Sequence, residues 1–144
     1  MELQVATLCD AAADYGGKLT VMGAFDTIAG RGTPPIIHPH CSLAMRICFR
    51  AEDEGLQKFS VSIIDADGKE IVPTFAPQFE VRLPSPDSFF VTRNLVVNMQ
   101  RLKFPGPGHY AIDIRCGEQT LGRIPLRVLL VDEQGRPASS SNPA

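Results

Sequence analysis

Two of the three histidines and two of the four cysteines fall within one run, IIHPHCSLAMRICFR, from Ile36 to Arg50. His38-Pro39-His40-Cys41 is its sharpest chemical feature. On a strand, residues i and i+2 point to one side, so His38 and His40 could offer two imidazoles to zinc or nickel. A metal needs at least a third ligand. Cys41 points to the opposite face of a regular strand, and Cys48 lies roughly 26 Å beyond His40 along an extended chain. His109 or Cys116 would have to arrive from another strand. His38, His40 and His109 are therefore the metal candidates. They stand against a plainer reading in which the pair faces solvent at a loop-to-strand entrance that Pro39 closes. The plainer reading is preferred here, with no metal or other cofactor expected.

The remaining reactive types offer less. Cys9, Cys41, Cys48 and Cys116 show no C-x-x-C spacing. A nucleophilic cysteine needs a lowered pKa and a nearby base, and no such neighbour is evident in the sequence. Asp65-Ala66-Asp67-Gly68 begins like a calcium loop, but KEIV follows where further oxygen ligands would be required. Asp67-Gly68 between two apolar runs reads instead as a hairpin with a type I′ turn. The glycines of YGGKL and PGPGHY precede no helix that could hold a phosphate. Sugar binding relies on exposed aromatic platforms, whereas the chain has no tryptophan and two tyrosines. No catalytic residue is expected.

The elements that would position these residues alternate with a period of two. Cys41, Leu43, Met45, Ile47 and Phe49 form one face, with Ser42, Ala44, Arg46, Cys48 and Arg50 on the other. That is the mark of a half-buried strand. LQVATLC, KLTVMGAFDTI, KFSVSIID, FEVRL, HYAIDIRC and TLGRIPLRVLLV alternate in the same way, with Gly16-Gly17 as a turn. FFVTRNLVVNMQRLKF reads as a long strand that bulges or changes face midway. ATLCDAAADY is the only helix-like patch, and it lacks caps. Pro73 and Pro125 fall inside strand patterns and predict edges or bulges. Tyr110, just after a Pro/Gly corner, is placed for a tyrosine corner. The expected architecture is all-β, an antiparallel two-sheet β-sandwich, immunoglobulin-like in the broad sense. It should occupy residues 1–131 as a single domain, with residues 132–144 a polar, disordered tail.

A chain of 144 residues can bury a core without a staple. Its net charge of −2 gives no general pull toward nucleic acid or an anionic membrane. The N-terminus lacks a basic, then apolar, leader, so a reducing cytoplasm and thiol cysteines are expected.

LCDAAADYGGKLTVMGAFDTI, HPHCSLAMRICF, the DADGKEI hairpin and FPGPGHYAIDI with PLRV together resemble an uncharacterised bacterial family of small β-sandwich proteins, a domain of unknown function. The resemblance spans roughly Leu3 to Val131. It implies the same sandwich and carries over no site residue. The functional expectation is a non-enzymatic module acting through a protein partner or self-association, by strand addition at an open sheet edge. The alternative is a small-ligand or metal-binding module using the His38/His40 region. Nucleic acid, membrane and carbohydrate are not expected as partners.

Overall fold

The computed structural model describes residues 1–138. The chain runs through β1 (Glu2–Tyr15), β2 (Lys18–Phe25), β3 (Thr27–Arg31), β4 (Ile36–Phe49), β5 (Gly55–Ile64), β6 (Gln78–Val81), β7 (Val91–Phe104), β8 (Gly108–Cys116) and β9 (Gln119–Val131). One 3₁₀ turn, Ala51–Asp53, links β4 to β5. The helix-like ATLCDAAADY patch is strand throughout, within β1. Its alanines sit between the facing side chains of the β1–β2 hairpin, so pairing overrides helix propensity.

The strands make two sheets, of order β2-β1-β4-β7 and β3-β9-β8-β5-β6. The five-stranded sheet curls into a half-barrel. The all-β, two-sheet expectation holds, with one correction to an antiparallel arrangement. β3 runs parallel to β9, from Thr27 beside Arg127 to Arg31 beside Val131. The sequence read KLTVMGAFDTI as one strand. In fact the chain leaves the first sheet after Phe25 and joins the second at Thr27.

The core lies between the sheets. Cys41, Leu43, Met45, Ile47 and Phe49 of β4 are fully buried, and they meet Phe59, Val61 and Ile63 of β5 and Ile112 and Ile114 of β8 in one apolar cluster. The opposite face of β4 departs from expectation, because Ser42, Ala44 and Cys48 are also buried. β4 is an interior strand flanked by β1 and β7. Its short side chains are screened by larger neighbours on both sides.

The predicted change of face in the long strand occurs at Arg101, which adopts φ 55°. Before it Met99 is buried; after it Leu102 and Phe104 are. β4 switches with it. Cys41 pairs with Met99, whereas His38 pairs with Leu102 and Ile36 with Phe104. The matching point in β4 is Pro39, whose nitrogen has no proton to donate to the ladder.

Two proline expectations agree with the structure. Pro73 lies in an irregular stretch along the outer side of β5, between the Val61–Phe75 and Ile64–Glu70 bridges. Pro125 pairs with Ala111 on one side and lies before the residues of β9 that β3 reaches. The hydroxyl of Tyr110 donates to the Gly106 carbonyl at 2.7 Å, the geometry of a tyrosine corner.

One expectation is corrected. At Asp65–Gly68 only Gly68 has positive φ, 83°, so the turn is not type I′. The Gly68 amide donates to the Asp65 carbonyl at 3.0 Å, and the Asp65 carboxylate accepts from the amides of Asp67 and Lys69. That side chain steers the chain into a longer loop. Beyond β9 the chain turns once more. Asp132 closes a similar loop with Arg136, and the Ala138 amide donates to the Leu130 carbonyl, so residues 132–138 fold back on β9. Residues 139–144 of the expected tail lie outside the described residues.

Candidate functional site

The HPHC run is not a strand entrance. It lies inside β4, five residues of which precede Cys41. Because the strand changes face at Pro39, the two histidines have different surroundings. His40 is exposed, whereas His38 is half-buried, with its ring tilted against Phe25 at a centroid distance of 5.7 Å. The expectation that both face solvent is thus corrected for His38. Its Nε2 is sealed from water and has no hydrogen-bond partner among the described residues. Burial pushes the His38 pKa below its ordinary value, against the opposing pull of the Asp10 charge and a backbone hydrogen bond at His40. The neutral ring is therefore favoured near pH 7.

His38 borders a shallow cleft of about 330 Å³ with Asp10, Phe25 and Ile28. Gly23 makes room for the Asp10 carboxylate: a Cβ there would lie 2.4 Å from Oδ2, and its φ of 68° suits glycine. His109, the third metal candidate, is exposed on β8 of the other sheet, opposite Arg127. Among the described residues no three His, Cys, Asp or Glu side chains converge as a metal would require.

The four cysteines are free and buried. Burial, reinforced by the charges of Cys9 and Asp10, pushes the Cys41 thiol up to about 11. Cys9 and Cys116 are also raised, chiefly by burial. Their thiols are spent within the fold, Cys9 Sγ on the Ser42 carbonyl at 3.5 Å and Cys116 Sγ on Gln57 Oε1 at 3.3 Å. A protonated, enclosed thiol is a poor nucleophile.

What remains accessible is backbone. Among the described residues the free edges of the two sheets are β2 and β7, and β3 and β6. β7 is the longest of them at 14 residues, and it contains no proline. Leu95, Val96, Val97 and Asn98 border an open groove of about 350 Å³, whose far wall is Phe75, Ala76 and Pro77. A second groove, about 320 Å³, continues along Arg93–Leu95 to Phe79 and Glu80. The middle of β7 thus borders an open seam between the sheets.

The chain belongs to DUF6941, a family of unknown function. The family model matches residues 4–129, from the third residue of β1 to within β9, and stops before the loop at Asp132. No curated protein and no solved structure matches the chain. The DUF6941 unit is therefore the two-sheet body itself, edges included.

Sequence reasoning singled out proline-bearing strands as the open edges of this DUF6941 chain. The structure reverses that emphasis. β6 has four residues and is approached through Pro73 and Pro77, while the long free edge belongs to a proline-free strand. Alternation alone could not reveal it, since an edge and an interior strand alternate alike.

Proposed function

We propose that this protein is a non-enzymatic interaction module of the bacterial cytoplasm, an immunoglobulin-like sandwich in the broad sense, which docks a protein strand on β7. The observation that carries this reading is the 14-residue free edge bordered by open grooves. An unpaired row of N–H and C=O groups is a template for another strand, and natural folds usually blunt it with proline, short length or charge. β7 keeps its charges, Arg93, Arg101 and Lys103, away from Asn94–Gln100. Strand addition would draw affinity from main-chain hydrogen bonds and specificity from alternate side chains. The burial of all four thiols, with the pKa values of Cys9, Cys41 and Cys116 raised, argues against nucleophilic catalysis.

The test places a charge on the edge without touching the core. Val96→Lys should remove strand-dependent association, read both as solution mass and as the set of proteins that co-purify, while leaving the far-UV circular dichroism of the folded chain unchanged. If neither changes, β7 is not the docking edge.

A second reading, a small-ligand module at the Asp10–His38 cleft, draws on the unpartnered Nε2. Its metal form would need a third donor, which the described residues do not bring near. A rise in melting temperature with added zinc, lost in His38→Ala, would favour it over strand docking.

A further inference from the structure

We infer that the strand docked on β7 is β7 of a second copy of this chain, antiparallel to the first, with a two-fold axis beside Val96. This rests on the strand-docking reading and names its occupant. An axis perpendicular to the sheet keeps the core-facing sides of both copies on one side. It joins two four-stranded sheets into one of eight.

The argument is one of self-complementarity. With the axis at Val96, Val96 lies opposite itself, Asn94 opposite Asn98, Leu95 opposite Val97, and Thr92 opposite Gln100. Directly opposed side chains are the unit of pairing energy, and like charges there are unfavourable. Here none are opposed. Moving the axis to Val97 sets Arg93 against Arg101. Moving it to Asn98 sets Arg93 against Lys103. Moving it to Leu95 sets Asn94 against Val96, polar against apolar. The basic residues thus exclude the registers centred on Val97 and Asn98, and the pairing of asparagine with asparagine favours Val96 over Leu95.

Three structural details agree with it. Asn98 Oδ1 accepts from Ser42 Oγ at 2.7 Å, while no partner is recorded for its amide nitrogen among the described residues. Asn94 Oδ1 accepts from Arg46 Nη1 at 2.7 Å and has a second lone pair. Asn98 of each copy can therefore donate to Asn94 of the other, twice by symmetry. Next, the positive φ of Arg101 breaks the strand one residue beyond Gln100, where the Thr92–Gln100 pairing would end. Finally, Phe89 and Phe90 at the head of β7 are 86% and 54% exposed.

The other free edges fit less well. β6 has four residues and nearby prolines, β3 has five and is followed by Pro34-Pro35, and β2 carries the positive-φ Gly23.

The experiment combines sedimentation mass with single cysteines joined by a short bis-thiol cross-linker, the native thiols being buried. The wild type should be a dimer at tens of micromolar, and Val96→Cys should cross-link to itself. Asn94→Cys and Asn98→Cys should each fail alone and cross-link when mixed. Val96→Lys, which places like charges at the axis, should weaken the dimer by at least about tenfold, roughly one 1.4 kcal/mol step. A dimer in which Asn94→Cys cross-links to itself overturns the register but keeps the docking reading. A wild-type monomer whose co-purifying partner is lost in Val96→Lys overturns the second copy as occupant and keeps the edge. A dimer indifferent to Val96→Lys, or a monomer with no β7-dependent partner, overturns both.

Discussion

The two ends of β4 are built on opposite principles. At the Phe49 end the core is closed by three aromatic rings from three strands. Phe49 meets Phe59 at 6.2 Å and Phe79 at 5.7 Å, both edge-on, while Phe59 and Phe79 stack at 5.3 Å. The cluster joins the sheets through β4, β5 and β6, and edge-on and offset rings suit the aromatic quadrupole. At the His38 end the strand has changed face, a ring nitrogen is enclosed without a partner, and two glycines make close approaches possible. A Cβ on Gly23 would strike Asp10, and one on Gly30 would lie 2.5 Å from Ile36. One end is thus held by apolar area, the other by small residues that let backbone and polar groups crowd together.

The contrast can be broken by substitution. The largest effect is expected at the aromatic end. Phe49→Ala should cost about 3–5 kcal/mol in denaturant unfolding, because it removes a fully buried ring and leaves a cavity. A loss under about 2 kcal/mol would mean that the cluster collapses around the gap and does not close the core.

Gly23→Ala should follow, at about 1–3 kcal/mol, the range for overpacking combined with a side chain at positive φ. Asp10→Ala should recover part of that loss, since the clash is with its carboxylate. Additive losses in the double variant would show that backbone strain alone is responsible.

The histidines sharpen the comparison further. Replacing an unpartnered buried polar group with an apolar one of similar size removes a desolvation penalty. His38→Leu should therefore raise stability, by about 1 kcal/mol, while the exposed His40→Leu should change it by less than about 0.5 kcal/mol. Equal effects would return both residues to the surface reading.

The smallest effect is the pH dependence. The pKa of His38 is lowered in the fold from 6.5, so near and below that value the unfolded chain binds the proton more readily. Stability from this source is complete above the unfolded pKa. It declines as pH falls through 6.5 toward the folded value. His38→Leu should flatten that part of the stability–pH curve, and a curve of unchanged slope would remove His38 as its origin.

Much of the Phe49 end was legible in the sequence. From Cys41 onward every second residue of β4 is apolar, and all five are buried as that alternation requires. The same holds for Phe59, Val61 and Ile63 of β5. Tyr110 after its Pro/Gly corner found the expected backbone acceptor. The His38 end was not legible, because its two decisive facts sit on different strands. Pro39 signals a missing ladder donor, but only pairing with the segment around Arg101 turns that into a change of face. Parity extended backwards from Cys41 therefore put His38 on the wrong side.

Strand class, the positions of turns and the inward set wherever alternation runs unbroken are readable in the order of residues, since they follow from the local geometry of a pleated chain. Which strands have neighbours on both sides is settled by the packing of distant segments. That is why Ser42, Ala44 and Cys48 are buried on a face that reads as polar, why β3 crosses over to run parallel with β9, and why the proline-free β7 is left as the long free edge. Burial and edge status depend on what lies beside a strand, and its neighbours come from distant parts of the chain.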